Sequence, residues 1–276
     1  MRKVLFILIL IIGSNQLMAQ SIRLATYNIR GILARDVPVN MWKDRVGLVI
    51  PLIQFHDFDV FGVQEANEEQ LSDLEKALPG YGVIAENKNN GLNTSAIFYK
   101  KSKFNFQKSG HFWLSATPDV EGKGWDAKHP RGCSWVELTD VKQNFKFYFF
   151  NTHFDHVGVQ ARKNSAKLII EKIDQIAGNN PAAVVGDFNF DQRDENFAYI
   201  KTFNKLFDSY EVAKFKYEPN GTSNSFNITK KSDARIDHIF ITKQFEALKY
   251  GVLTDNSGGK FPSDHFPVVV DVITKK

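Results

Sequence analysis

Six apolar, strand-like runs in this chain stop at residues able to do chemistry: Asn28, Glu65, His153 with Asp155, Asp187 with Asn189, Asp237 with His238, and Asp264 with His265. Asp and Asn often close strands for turn geometry alone, so any one of these ends says little. Six together say more, because neighbouring strands can converge the side chains at their carboxyl ends on one crevice. The set is rich in oxygen. Asn28 offers an amide oxygen and Glu65, Asp187, Asp237 and Asp264 offer carboxylates, while the chain has no Cys pair and no His-x-x-x-His spacing for zinc. Hard oxygen donors select Mg²⁺, Mn²⁺ or Ca²⁺. Such a cation would polarise a phosphoryl oxygen, neutralise charge on a leaving oxygen and relieve repulsion among the acids.

An Asp beside an imidazole fixes its tautomer and stabilises the imidazolium. Asp237 and His265, far apart in sequence but both at strand edges, form a candidate pair of this kind, able to act on water or on phosphate. His265 stands in Ser263-Asp264-His265-Phe266-Pro267, just before the last strand with an acid beside it. His153, His156 and His238, taken singly, read as hydrogen-bonded core or rim histidines, the commoner use of a lone His.

Positioning these ends requires strands, which the patterning predicts at residues 22–28, 60–64, 95–99, 134–138, 147–151, 182–186, 236–241 and 267–273. Three helices are predicted. The first runs from Trp42 to Phe55, with Val46, Val49, Ile50 and Ile53 on one face and Pro51 expected to kink it. The second opens on an Asn67/Gln70 capping box and ends near Leu78. The third runs from Val159 to Ala177 and stops at Gly178. Runs such as Ala182 to Val185 and Val60 to Val63 are apolar on both faces, as expected for a sheet covered by helices on one side and a second sheet on the other. Residues 111–131, with Trp113, Trp125, Gly122 and Gly124, lack periodicity and read as a long functional loop or a mobile surface.

The motifs Thr26-Tyr27-Asn28, Val63-Gln64-Glu65, Asn151-Thr152-His153-Phe154-Asp155-His156, Gly186-Asp187-Phe188-Asn189, Arg235-Ile236-Asp237-His238-Ile239 and Ser263-Asp264-His265-Phe266-Pro267 follow one another from about Ile22 to Val272. In types and order they resemble those of the endonuclease/exonuclease/phosphatase superfamily. The resemblance implies an α/β fold of the DNase I-like kind, a four-layered sandwich of two mixed β-sheets flanked by helices. It implies that Asn28 and Glu65 hold the metal, Glu65 foremost, with Asp264 assisting directly or through water. Asp187 would align or activate the attacking water, Asn189 would orient it and the phosphate, and His153 would donate to a phosphate oxygen. His265, partnered by Asp237, would contact the scissile phosphate and serve in acid or base catalysis. Arg131, in His129-Pro130-Arg131-Gly132, is similar to a family arginine near the phosphate and reads equally as a surface ion pair. Family members specialised for abasic DNA carry an acid two residues after the first-motif Asn. Here that position is Arg30, which favours one principal metal ion, Mg²⁺ or else Mn²⁺ or Ca²⁺, and argues against the repair branch.

Residues 1–19 pair Arg2 and Lys3 with an apolar run from Val4 to Ile12 and the small-residue end Leu17-Met18-Ala19, the order of a cleavable signal peptide. Asn15 and Gln16 interrupt the run too early for a membrane span, so a secreted or periplasmic protein with no membrane span is expected. Residues 20–276 then form one domain, expected to be monomeric. Loss of Arg2 and Lys3 lowers the formal charge from +4 to +2, too little to favour a nucleic-acid partner. The single Cys, Cys133, excludes an intramolecular disulfide.

The expected function is exported, divalent-metal-dependent hydrolysis of a phosphate ester, by phosphodiesterase or phosphatase action. The alternative is a non-catalytic exported binding protein on the same fold. Three substrate classes stay open. A nuclease would want a basic groove with aromatic platforms, for which Trp113, Trp125, Lys123, Lys128 and Arg131 are candidates. A phospholipid enzyme would want an exposed apolar projection, for which Phe112 and Trp113 are candidates. A sugar-phosphate or inositol-phosphate enzyme would want a closed pocket lined by Lys and Arg.

Overall fold

The computed structural model describes residues 21–85, 95–217 and 220–275, so the expected signal segment lies outside the described residues. In chain order the elements are β1 (Ile22–Asn28), α1 (Trp42–Phe55), β2 (Val60–Gln64), α2 (Glu68–Ala77), β3 (Tyr81–Ile84), β4 (Ser95–Lys100), β5 (Phe104–Trp113), β6 (Gly132–Asp140), β7 (Lys146–His153), α3 (Val159–Ile176), β8 (Ala182–Asp187), α4 (Glu195–Thr202), β9 (Leu206–Asp208), α5 (Ser209–Val212), β10 (Phe215–Tyr217), β11 (Asp237–Thr242), β12 (Phe245–Val252) and β13 (Val268–Thr274). One sheet has the order β10-β12-β13-β1-β2-β4-β3 and the other β5-β6-β7-β8-β11-β9.

Both sheets are mixed in the same way. In the first, β1 and β2 run parallel between antiparallel β13 and β4. In the second, β7 and β8 run parallel between antiparallel β6 and β11. A parallel pair needs a crossover, supplied by α1 in one sheet and by α3 in the other.

Strand alternation splits each central strand between two cores. Leu24, Val60, Phe149 and Val185 meet between the sheets. Tyr27, Phe61 and Val63 turn outward under α1 and α2, and Phe150, Ala182 and Val184 turn outward under α3 and α4. The result is a four-layered α/β sandwich with helices on its two outer faces.

The sheets approach closely behind the strand ends. Asn151 of β7 donates to the carbonyls of Val63 (3.0 Å) and Ala96 (2.7 Å) in the opposite sheet and accepts from Gln64 at 2.6 Å. Gly62 permits this, since a Cβ there would lie 2.5 Å from the Asn151 side chain.

α1 continues through Pro51, whose missing N–H would have faced the Gly47 carbonyl one turn earlier. The capping box on α2 is present in both directions, Asn67 accepting from the Gln70 N–H and Gln70 from the Asn67 N–H. Strand patterning missed the short strands β3, β9 and β10, three or four residues each, and the longer β5 and β12. β5 lies at a sheet edge and exposes Asn105 to Lys108, and β12 is interrupted by a bulge between Ala247 and Lys249, so neither keeps a clean period of two.

The aperiodic stretch before Arg131 is held by tertiary contacts. Its Asp126 carboxylate accepts from the first-turn N–H groups of α3, Gln160 at 3.1 Å and Ala161 at 2.7 Å. Phe112 and Trp113, candidates for an exposed apolar projection, are instead buried at the end of β5, with exposures of 3% and 7%. The expectation of a lipid-facing projection there is corrected: these rings pack inward on the second sheet.

Candidate active site

Because β1, β2, β7 and β8 share the carboxyl ends of the two parallel pairs, Asn28, Glu65, His153 and Asp187 arrive at one edge of the sandwich. Register completes the row: His153 and Asp237 both lie opposite Asp187, so three side chains of adjacent strands share one face. His238, opposite Gly186, falls on the other face, among Phe188, Phe190, Phe197 and Phe240. It is a core histidine. Gly186 is required where it stands, since a Cβ would lie 2.0 Å from the Thr152 carbonyl oxygen.

Asn28 bridges the two carboxylates. Its amide nitrogen donates to Glu65 and to Asp187, each at 3.1 Å, and its oxygen accepts the Arg30 N–H at 3.0 Å. A backbone N–H can only donate, so this contact sets the amide orientation: the oxygen expected to face a metal faces the backbone of its own loop. Glu65 also accepts the Gly31 N–H at 3.1 Å. Glu65, Asn189 and Arg30 all adopt left-handed backbone, with φ of 65°, 52° and 58°. Such strain in non-glycine residues gathers at working sites.

Asp187 is buried and accepts the Asn189 N–H at 2.9 Å, while the Asn189 amide donates to the Phe154 carbonyl at 2.8 Å. Burial, and then the charge of Asp237, push the Asp187 carboxyl well above the usual range. His265 Nδ1 lies 2.8 Å from Asp237 Oδ2, and its Nε2 lies 3.9 Å from Asp187 Oδ2. Burial opposes the imidazolium, but the Asp237 charge and hydrogen bond outweigh it and hold His265 well above its ordinary value.

The second histidine is held in the opposite state. Arg131 Nη1 contacts His153 Nδ1 at 2.9 Å. A guanidinium only donates, so Nδ1 is the bare nitrogen and the ring proton sits on Nε2, 3.5 Å from Asp187 Oδ2. Burial and the Arg131 charge agree with this, lowering His153 well below its ordinary value. The surface ion pair considered for Arg131 is absent among the described residues; the side chain is buried and lines the cleft. Its loop is braced by Asp155, which accepts from the N–H groups of His129 (3.1 Å), Val157 (2.9 Å) and Gly158 (2.7 Å).

All nine sequence-predicted residues come together. Glu65, Arg131, His153, Asp187, Asn189, Asp264 and His265 line a cleft of about 670 Å³, with Asn28 and Asp237 buried beneath it. Asp264 turns toward Arg30, 3.3 Å away. Arg35, Lys128, His129 and His156 also line the cleft. Arg35 carried no sequence signal, being one cation in an irregular loop. Trp113, Trp125 and Lys123, named as a possible base-stacking platform, are not part of the lining. A further residue invisible to motif reading is Arg45. It is buried, and it donates to the carbonyls of Ile29, Arg30, Asn40 and Pro262, tying the Arg30 loop to the loop that carries His265.

The donor set fits a hard divalent cation. The ligand atoms of Asp187, Asp237 and His265 lie within 4.8 Å of one another, and Asp237 Oδ1 is buried without a hydrogen-bond partner among the described residues; His265, held protonated by Asp237, has no lone pair to give, so the donors are the carboxylates. Glu65 stands beside them through Asn28. A cation there would offset the charge of Asp187 and bring its carboxyl back toward the usual range.

Residues 25–265 match the model of the Endonuclease/Exonuclease/phosphatase family. A member of that family from Bacteroides thetaiotaomicron is 41% identical, with a TM-score of 0.89 over 94% of this chain and 99% of its own. A mannosyl-6-phosphatase of the same organism is also 41% identical, with a TM-score of 0.87 over 92% of this chain and 100% of its own. The human nocturnin catalytic domain, 19% identical with a TM-score of 0.73 over 93% of this chain and 94% of its own, shares the fold. Fold, strand-end residues and family match agree: this chain belongs to the endonuclease/exonuclease/phosphatase family and has its DNase I-like sandwich.

Proposed function

We propose that the chain is an exported, divalent-metal-dependent phosphatase acting on phosphate monoesters of sugars or similar polyols. The observation that carries this reading is the pairing of opposite histidine states around Asp187: His265 held charged by Asp237, and His153 held neutral by Arg131. Phosphoryl transfer is favoured by fixed donors held on the phosphoryl oxygens and by a charge or proton source near the leaving oxygen. The cleft of about 670 Å³, with Arg30, Arg35, Lys128 and Arg131 in its lining, supports a small polar ester over a lipid or a long nucleic acid. The mannosyl-6-phosphatase relative supports the same substrate class.

In this reading Glu65, with Asp187 and assisted by Asp264, holds Mg²⁺ or Mn²⁺, Ca²⁺ being a third candidate. Bound there, the ion supplies Lewis-acid stabilisation of phosphoryl charge. The chain's own groups do the rest. Asp187 aligns or activates the attacking water. Asn189 fixes Asp187 through its N–H. His153 Nε2–H and Arg131 donate to phosphate oxygens, and the His265 imidazolium stabilises the phosphate or protonates the leaving oxygen. The signal-like residues 1–19 and the modest charge support export and disfavour a nucleic-acid partner.

The test is hydrolysis by residues 20–276 of p-nitrophenyl phosphate, bis(p-nitrophenyl) phosphate and a panel of hexose 6-phosphates. Each is run with Mg²⁺, Mn²⁺, Ca²⁺ or chelator, beside His265→Ala. Chelator-sensitive monoester turnover, lost in the variant, is expected. Preference for the diester would move the chain to the phosphodiesterases. Silence on all substrates, with the variant indistinguishable in metal affinity and phosphate binding, would favour the non-catalytic binder.

A further inference from the structure

The cleft holds more cationic capacity than one phosphate uses. Among the described residues four permanent cations line it, and two have partners. Arg30 is tied to Asp36 at 2.7 Å and Asp264 at 3.3 Å, and Arg131 is turned onto His153. Arg35 and Lys128 have no ion-pair or hydrogen-bond partner for their side chains among the described residues.

Neither side chain hangs from a loose segment. Lys128 sits between Ala127, whose N–H bonds to the Gly124 carbonyl at 2.9 Å, and His129, whose N–H bonds to Asp155 at 3.1 Å. Arg35 precedes Asp36, whose N–H bonds to the Leu33 carbonyl at 3.0 Å and whose carboxylate holds Arg30. Loops braced on both sides present their cations in a restricted range of positions, which lowers the entropy lost on binding. The nearby rings of His129 and His156 stack at 5.7 Å and 21°. Burial lowers both below their ordinary value, so at neutral pH the fixed charge beside them comes from Lys128 and Arg131.

We propose that Arg35 and Lys128 form a second anion subsite, and that the preferred substrate is a phosphate monoester whose leaving alcohol carries another anionic group, a second phosphate or a carboxylate. The inference rests on the phosphatase reading of the cleft and adds the chemical class of the leaving group. The reacting phosphate is taken by Arg131, His153, Asn189 and His265, and the second anion by the two unpaired cations of the lining, Arg35 and Lys128.

The test compares kcat/KM for glucose 6-phosphate and glucose 1,6-bisphosphate, which share a ring and differ by one phosphate, in the wild type and in Arg35→Gln/Lys128→Gln. The wild type is expected to prefer the bisphosphate by about tenfold, mostly through KM, as two partly exposed charge contacts allow. In the double variant that preference is expected to fall to about twofold, the bisphosphate losing far more than the monophosphate, and added salt should narrow the wild-type ratio in the same direction. Equal kcat/KM for the two sugars in the wild type overturns the subsite while leaving the phosphatase reading intact. An equal loss on both sugars in the variant also overturns it, because the two cations would then act only as general attraction for anions. No turnover of either sugar or of p-nitrophenyl phosphate with any of the three cations overturns the phosphatase reading and this inference together.

Discussion

Asp237 reaches His265 with one oxygen and leaves its other oxygen buried without a partner among the described residues, so its value to the fold is low and its charge is there for the imidazole. Asp237→Asn keeps the shape and removes the charge. Turnover is expected to fall about 100-fold, the scale of a lost acid–base contribution, with the melting temperature little changed. Steady-state kinetics beside a thermal melt checks both, and full activity would dissolve the pair. Glu65 differs in kind, because its contacts are an amide and a backbone N–H with no cation among them. Glu65→Gln is expected to raise the Mg²⁺ concentration for half-maximal activity about tenfold or more, as well as lowering kcat. An unchanged metal titration would remove Glu65 from the metal site.

At the scale of elements, the contact between β2 and β7 sets the spacing of the two sheets under the site. Gly62→Ala would press a methyl into Asn151 and disturb its bonds to Val63 and Ala96. Overpacking of this kind is expected to destabilise by about 1–3 kcal/mol and to lower kcat, since Asn28 and Glu65 ride on one sheet and His153 and Asp187 on the other. Chemical denaturation of the variant reads the first, and a stability equal to wild type would mean the sheets have slack there. β11 carries a second consequence. Burial lowers His238 to about 4, against 6.5 for a free imidazole. As pH falls the unfolded chain therefore takes the proton first, so this stability is complete above about pH 6.5 and lost between there and about pH 4. It amounts to about 3 kcal/mol. His238→Phe preserves the aromatic packing, loses one hydrogen bond to the Phe190 carbonyl, and should melt with a shallower dependence on pH between 7 and 4.5. Parallel pH profiles for variant and wild type would refute it.

For the whole molecule, the proposed export predicts a mature N-terminus at Gln20, readable by mass spectrometry of the protein recovered outside the cytoplasm. A product retaining Met1 in that fraction would refute cleavage. Among the described residues no helix is long and apolar enough to cross a membrane. How much of this was legible before the structure varies by residue. Asp187 with Asn189 and Asp264 with His265 could be read as site residues because each lies in a short motif at the end of an apolar run. Arg45, which ties four carbonyls of separate segments, and Asn151, which joins the sheets, could not, since their partners are far away in the chain. The central strands were legible because both of their faces are apolar, whereas β5 and β12 lacked that pattern.

The chain by itself determined which groups could hold a hard cation or handle a proton, and that the strands bearing them have two apolar faces, because both are properties of residue type and local period. Only the tertiary structure decided that Asp237 faces the cleft while His238 faces the core, that Arg131 sets the tautomer of His153, and that Arg35 and Lys128 stand in the cleft lining without a partner among the described residues. Those outcomes depend on strand register and on loops braced by distant carboxylates, and contacts between residues far apart in sequence are set by packing.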